Sequence, residues 1–245
     1  MNLRLLVGIL VCLIYSLPTL AYEKKVVLAY VEYPPYYGKS LDNGGPITQI
    51  IVQAFNKAGY RVELKFVPWA RGLEGTKQGI YDGLYTAWYR KDREQWFIFS
   101  DPLPANKIGF YKRKGAIIKL NSIGDLKPYK IGVVRKYVNP IWFKKVELKT
   151  HESTTDRENL LLLIAGRIDL ALTDKALGKY IIQTELQEQT VRLEWMTFPV
   201  EVVNQYLIIS KQANNFQKKM EAFNWGLKQL TESAEMHKIM IKHGF

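Results

Sequence analysis

The chain has 245 residues, of which 47% are hydrophobic, so it holds enough apolar material for one large or two small domains. It contains a single cysteine, and this excludes a fold stabilised by a disulfide framework. The formal net charge of +12 favours anionic ligands or surfaces, whereas the absence of any basic run longer than three residues argues against nucleic-acid binding.

Residues 1–21 predict a secretory signal peptide. Arg4 precedes an apolar run over residues 5–17, and a short segment ending in Ala21 follows this run. These are the three regions of a signal peptide, and the apolar run is short for a membrane span. We expect cleavage after Ala21, which removes Cys12 and leaves an exported, cysteine-free protein. A retained N-terminal anchor is the alternative.

The part of the chain that follows predicts strands alternating with helices. Short apolar runs indicate strands, and apolar residues at helical spacing indicate helices. In order, the predicted elements are a strand at 25–31, a helix from Pro46 to Ala58, a strand at 61–67, a short helix from Pro68 to about Gly79 and a strand at 81–88. This order implies a parallel sheet with ligand-binding loops at one edge.

A second α/β unit of similar size follows, without close sequence repetition. After a strand at 108–113, the predicted elements are a strand at 129–134, a helix beginning at Asn139-Pro140, a helix at 160–165 behind the capping box Thr155-Asp156-Arg157-Glu158, a strand at 168–172, a helix at 174–183 and a strand at 191–196. A last strand at 205–210 precedes two C-terminal helices.

Two groups of side chains at predicted strand ends are candidates for a binding site. The strand at 81–88 leads into Arg90 and Arg93, and arginines at a strand end are typical of a crevice that binds carboxylate or phosphate. The loop after the first strand carries Tyr33 and Tyr36 beside two prolines, and tyrosine suits the wall of a small-molecule pocket. The alternatives are a solvated arginine face and tyrosines that pack as a lid on the core.

The sequence offers no pattern for catalysis or for a metal. The three histidines, His151, His237 and His243, lack the spacing of metal ligands, and none can be placed in a Ser-His-Asp arrangement. No phosphate-cradling loop is present. We therefore predict no catalytic residue, no metal site and no cofactor.

Several short motifs carry a family resemblance through their order and spacing. They are Tyr33-Pro34-Pro35-Tyr36, Gly45-Pro46, Gly79-Ile80-Tyr81-Asp82-Gly83, Arg93-Glu94, Phe99-Ser100-Asp101-Pro102, and Gly166-Arg167-Ile168-Asp169 followed by Asp174. The chain resembles the type II periplasmic solute-binding proteins, specifically extracellular solute-binding protein family 3, which contains the polar amino-acid-binding components of ABC importers. The match covers essentially all of the mature chain.

The resemblance implies an α/β fold of the periplasmic-binding-protein type II. Two lobes, each a sheet flanked by helices, would be joined by two hinge strands at 108–113 and 205–210. Lobe one would comprise residues 22–111 and 204–245, and lobe two residues 112–203. The lobes would close like a hinged clamp, which desolvates a ligand that neither lobe buries alone.

The resemblance also implies roles for individual residues. Arg93 would grip an α-carboxylate, with Arg90 as the alternative anchor, and Asp174 would take an α-ammonium group. Tyr33 and Tyr36 would form an aromatic wall.

Other positions depart from the family pattern. Thr86 and Trp88 lie where amino-acid binders have small hydroxylated residues and backbone contacts, and the bulk of Trp88 and Trp69 indicates a larger, more aromatic pocket. The lobe-two loop, usually Gly-Thr or Gly-Ser-Thr, is Arg135-Lys136-Tyr137-Val138 here. We place Arg135 and Tyr137 at the ligand, with Arg135 or Lys136 supplying the charge of the missing anion contacts.

The leading prediction is a monomeric, non-enzymatic periplasmic protein that captures a small polar solute, amino-acid-like or anionic. Its partner would be an ABC permease or a membrane sensor. The alternative is a crevice enzyme of the dehydratase kind on the same fold, in which Glu32 and Asp174 act as acid and base on a small carboxylic acid.

Overall fold

The computed structural model describes residues 24–135, 139–140, 142–143, 146–187, 192–198 and 201–245. The predicted signal peptide, Lys136 and Tyr137 lie outside this part of the chain, as do residues 141, 144 and 145 of the helix predicted from Asn139; its described residues form no α-helix. None of the helices within it combines the length and apolar character needed to cross a membrane.

Strands and helices alternate along the described residues. The strands are β1 Lys24–Tyr30, β2 Tyr60–Phe66, β3 Gly83–Trp88, β4 Phe97–Phe99, β5 Leu103–Arg113, β6 Lys130–Val134, β7 Lys149–Ser153, β8 Leu170–Asp174, β9 Leu193–Trp195 and β10 Glu201–Ser210. The α-helices are α1 Pro46–Lys57, α2 Trp69–Lys77, α3 Asp156–Ile164, α4 Lys175–Thr184, α5 Phe216–Glu232 and α6 Glu235–Lys242.

The strands form a continuous sheet whose two ends are parallel and whose middle is antiparallel. The strand order is β2-β1-β3-β10-β5-β8-β6-β7, with β4 added beside β10 and β9 beside β5. β1 pairs in parallel with β2 and β3, and β6 pairs in parallel with β7 and β8. The first parallel group was expected, because it arises from a strand-helix-strand order; in the second group, β7 was not predicted.

The two long strands β5 and β10 connect the parallel groups. They pair with each other between Glu201 and Ile108 and between Gln205 and Leu103. Beyond this pairing, β10 continues along β3 and β4, whereas β5 continues along β8. Each strand therefore changes neighbours midway, and Asp174, opposite Ile108 on β5, lies at that change.

The apolar cores lie in separate clusters on the two sides of β5 and β10. One cluster contains Phe55 of α1 and Phe223 of α5, both fully buried. Another contains Leu160 of α3 and Ile181 of α4. Tyr33 packs against both clusters, so the two lobes are in contact through the loop that carries it.

Helix α1 forms as predicted, and its packing depends on one glycine. Pro46 occupies the first helical position, where its missing N–H costs no hydrogen bond. On the facing helix α5, a Cβ atom at Gly226 would overlap the carbonyl oxygen of Ala54. Glycine at 226 therefore permits the close approach of the two helices.

The predictions were least accurate at strand boundaries. β5 begins at Leu103, five residues before the predicted 108, and β10 begins at Glu201 instead of 205. β7 (Lys149–Ser153) was missed, because its polar sequence lacks the apolar signal of a strand. It forms by pairing with β6 at the sheet edge, where tertiary context overrides local propensity.

Candidate functional site

Two loops and the first turn of a helix follow the carboxyl ends of strands β1, β3 and β8. The tyrosine loop, residues 32–40, follows β1; the Arg93 turn, residues 89–94, follows β3; and helix α4 begins directly after Asp174 at the end of β8. In α/β proteins this edge is where ligands bind, because loops from several strands converge there.

Hydrogen bonds within the tyrosine loop make it rigid. The backbone N–H of Tyr33 donates to the carbonyl of Tyr37 at 2.9 Å. The carboxylate of Glu32 accepts from the backbone N–H of Lys39 at 2.9 Å and from the hydroxyl of Ser40 at 3.1 Å. Both oxygens of Glu32 thus hold the loop together, so the structure shows Glu32 in a structural contact.

Tyrosine rings of this loop stack on one another and on the C-terminal residue. The centroids of Tyr33 and Tyr36 are 6.0 Å apart with nearly parallel planes, and Phe245 lies 4.9 Å from Tyr36. Burial raises the pKa of Tyr36 and Tyr37 well above the usual range, so both hydroxyls stay protonated and able to donate.

The Arg93 side chain is buried against aromatic rings. Only 8% of Arg93 is exposed, and its guanidinium lies 5.5 Å from the ring centre of Trp69. One of its nitrogens donates to the carbonyl of Trp88 at 3.0 Å. Arg90, in contrast, is exposed and pairs with Asp92 through two hydrogen bonds of 3.0 and 2.7 Å.

Burial and the neighbouring charge of Arg90 lower the pKa of Arg93, which indicates that its cationic form is poorly solvated. Among the described residues, no carboxylate forms an ion pair with Arg93. A guanidinium has five N–H donors in a planar fork. A buried guanidinium of this kind is suited to bind a planar anion through two parallel N–H donors.

The Asp174 side chain is buried and fully hydrogen-bonded by the protein. Its Oδ1 accepts from the backbone N–H of Ala176 at 2.8 Å and of Leu177 at 2.9 Å, which caps helix α4. Its Oδ2 accepts from the hydroxyl of Tyr36 at 3.0 Å and from the backbone N–H of Lys107 at 3.1 Å. The contact with Tyr36 links the tyrosine loop to β8 on the other lobe.

A small cavity brings three predicted site residues together. Tyr33, Trp88 and Asp174 line it, and its volume of about 20 Å³ has room for about one water molecule. The remaining lining residues are Ile108, Val134, Asn139, Pro140, Asp156, Leu172 and Thr173. The cleft is therefore nearly closed at this point.

Trp88 and Thr86 lie at the base of the cleft on β3. The indole N–H of Trp88 donates to the side-chain oxygen of Asn106 at 3.0 Å, which fixes the orientation of the ring. The side chain of Thr86 is buried, and its hydroxyl lies close enough to that of Tyr37 to lower the Tyr37 pKa against the rise caused by burial. Trp88 thus forms a fixed wall of the cavity, whereas Thr86 is not among the residues that line it.

Arg135 is not among the residues that line the cavity, although the preceding Val134 is. Its side chain is 64% exposed, and its Nε lies 3.5 Å from a carboxylate oxygen of Glu152 in a surface ion pair. Tyr137, the other residue predicted from this loop, is outside the described residues.

Sequence reasoning missed several polar residues of the cleft. Asn106 was missed because β5 was predicted to start after it, and Thr173 because the predicted strand ended at residue 172 whereas β8 extends to Asp174. Asp156 was interpreted only as part of a capping box, yet it also lines the cavity. Within the described part of the chain, no group of histidine, aspartate and glutamate side chains is arranged to hold a metal ion.

The two-lobed α/β architecture, with two central crossing strands, defines the chain as a type II periplasmic-binding-protein fold. Residues 26–245 match the family of bacterial extracellular solute-binding proteins, family 3, and the chain belongs to that family. The predicted family is therefore confirmed. A comparison with curated proteins finds no match.

Solved structures of low sequence identity share the fold. A histidine kinase sensor domain with similarity to periplasmic binding proteins has a TM-score of 0.73 and 19% identity, covering 91% of this chain and 97% of its own. The GluR0 ligand-binding core of Nostoc punctiforme, in complex with L-glutamate, has a TM-score of 0.71, 17% identity and coverages of 89% and 99%.

The arginine-, lysine-, histidine-binding protein ArtJ from Geobacillus stearothermophilus is also similar. Its TM-score is 0.70 at 19% identity, with coverages of 90% and 95%. At this level of identity the likeness concerns the fold alone. It does not transfer a ligand from any of these proteins.

Proposed function

We propose that this protein captures a small carboxylate-bearing solute between its two lobes and acts without catalysis. The observation that carries the proposal is the buried guanidinium of Arg93, which forms no ion pair within the described residues, although the Asp92 carboxylate lies nearby, and which donates to one backbone carbonyl. A buried charge is costly unless an opposite charge or several hydrogen bonds compensate it. A bound anion would supply this compensation.

The aromatic residues around Arg93 support a solute with an apolar or planar body. Trp69 lies beside the guanidinium, and Trp88, whose carbonyl accepts from Arg93, lines the cavity together with Tyr33. Because this cavity has room for about one water molecule, binding requires the lobes to separate and then close on the solute. Closure would desolvate the solute on both sides.

The solute would be delivered to an ABC permease or reported to a membrane sensor. Proteins of this fold include a histidine kinase sensor domain and an amino-acid ABC transporter substrate-binding protein. We propose that the protein reaches the periplasm by cleavage after Ala21. N-terminal sequencing of protein from the native host should find Tyr22 first, and recovery of Met1 in the membrane fraction would contradict this.

Thermal unfolding in the presence of candidate solutes tests the proposal. The panel should contain amino acids, opines, peptides, simple monocarboxylates and dicarboxylates. A solute at 100 times its dissociation constant should stabilise the protein by about 2.7 kcal/mol. Stabilisation that persists unchanged in Arg93→Ala would contradict the proposed site, and turnover of a stabilising solute by the pure protein would identify an enzyme instead.

A further inference from the structure

The hydrogen bonds of Asp174 bear on the chemical class of the solute. An ionised carboxylate offers about four lone-pair positions on its two oxygens. In Asp174, the N–H groups of Ala176 and Leu177 occupy Oδ1, while the hydroxyl of Tyr36 and the N–H of Lys107 occupy Oδ2. All four positions are thus filled by groups of the protein.

Three of these four donors are backbone N–H groups that cannot be withdrawn. Two belong to the first turn of α4, and the third belongs to β5 beside the pairing of Ile108 with Asp174. An ammonium group can reach Asp174 only by displacing the hydroxyl of Tyr36. The displaced phenol would lose a buried hydrogen bond, since Tyr36 is only 3% exposed.

A second carboxylate, Asp156, also lines the cavity but is already engaged. It lies in the first turn of α3, is buried, and takes part in an interaction of its own within the structure. Burial raises the pKa of Asp174 while its hydrogen bonds oppose that rise. Among the described residues, both carboxylates that line the cavity are thus already engaged, whereas the guanidinium of Arg93 forms no ion pair.

We propose that the solute is a carboxylate that lacks an α-ammonium group. This inference rests on the proposed function, because it takes Arg93 as the anchor of the carboxylate. The hydroxyl of Tyr36 occupies the place of an ammonium nitrogen, so an amino acid would have to break a contact that an amine-free acid leaves intact. The aromatic walls at Trp69 and Trp88 favour an acid with an apolar body.

Isothermal titration calorimetry with matched acids tests this inference. The pairs are 3-phenylpropanoate and L-phenylalanine, 4-methylpentanoate and L-leucine, and glutarate and L-glutamate. Each pair differs by the amino group alone. The amine-free member of the best-binding pair should bind at least about tenfold more tightly, the factor that one hydrogen bond to a charged group represents.

The variant Tyr36→Phe provides a gain-of-binding test that a merely structural role would not produce. Loss of the hydroxyl vacates one acceptor position on Asp174, so affinity for the amino acid should rise relative to its amine-free partner by about tenfold. Tyr60→Phe, at the first residue of β2, is the matched control and should leave the ratio of the two affinities unchanged.

The outcomes separate this inference from the proposed function. Tighter binding of the amino acids by the wild type, abolished in Arg93→Ala, would overturn the inference and keep the proposed function. Asp156→Asn would then show whether Asp156 holds the ammonium. If neither member of any pair binds, or if binding is unaffected in Arg93→Ala, both the inference and the proposed function fail.

Discussion

The two charged residues that the family resemblance placed at the ligand, Arg93 and Asp174, differ in how the protein itself uses them. Both are buried, at 8% and 1% exposure. Within the described residues, Arg93 makes one side-chain hydrogen bond, to a backbone carbonyl, whereas Asp174 accepts four. A charged side chain at an expected position can therefore bind a ligand only where hydrogen bonds within the protein do not already occupy it.

The difference follows from the elements that carry the two residues. Asp174 is the N-cap of α4 and lies against β5, so backbone N–H groups surround its carboxylate. Arg93 ends a short 3-10 turn, and its long side chain passes back over β3 towards Trp88. Asp174 is part of the fold's own hydrogen bonding, whereas Arg93 makes a single side-chain bond to the backbone within the described residues.

The largest expected effect is the loss of solute binding in Arg93→Ala. Removal of a buried charge-assisted pair should cost about 2–5 kcal/mol of binding free energy, measured by calorimetry with a solute from the panel. Arg93→Lys should restore little, because a point charge does not reproduce the planar fork.

Arg90→Ala is the matched control for Arg93. Its side chain is exposed and paired with Asp92, so its loss should cost at most about 1 kcal/mol. If Arg90→Ala abolishes binding while Arg93→Ala preserves it, Arg90 and not Arg93 anchors the carboxylate.

The next largest effect is the contribution of Asp174 to the stability of the protein. Asp174→Ala removes an N-cap and leaves Tyr36 and Lys107 without their acceptor, so the free energy of unfolding should fall by about 2–4 kcal/mol in urea titrations. Asp101→Ala, an exposed control, should change it by less than about 0.5 kcal/mol. Equal effects in both variants would show that the hydrogen bonds of Asp174 contribute little.

A smaller effect concerns pH. Burial raises the pKa of Asp174 above that of an unfolded chain, so the folded protein binds this proton more tightly. The resulting stability is fully present below the unfolded pKa, about 4, and is lost as pH rises through the folded pKa. Relative to Asp174→Asn, the wild type should therefore lose stability as pH increases from about 4. If the stability of the wild type relative to Asp174→Asn instead increases with pH, the effect of the hydrogen bonds on the Asp174 pKa outweighs that of burial.

The smallest effect is expected at Arg135. Its side chain is 64% exposed and pairs with Glu152 at the surface, so Arg135→Ala should change solute affinity by less than about 1 kcal/mol. A loss comparable to that of Arg93→Ala, measured in the same titration, would place Arg135 at the closed ligand site after all.

The sequence predicted the alternation of elements well because strong apolar periodicity marks α1 and the buried strands. It failed for β7, which is polar and forms through its neighbour β6. The role of Asp174 was also out of reach. Two of the donors that hydrogen-bond its carboxylate belong to Tyr36 and Lys107, which lie 138 and 67 residues away along the chain. Such contacts between distant residues depend on the tertiary structure, so no local sequence pattern predicts them.

A crystal structure with the most strongly stabilising acid would test the central claim most directly. We predict that the carboxylate of the solute lies within about 3 Å of the Arg93 guanidinium. We also predict that Tyr36 and the three backbone N–H groups still occupy Asp174. A solute nitrogen on Asp174 in place of the Tyr36 hydroxyl, or a carboxylate bound away from Arg93, would contradict this account.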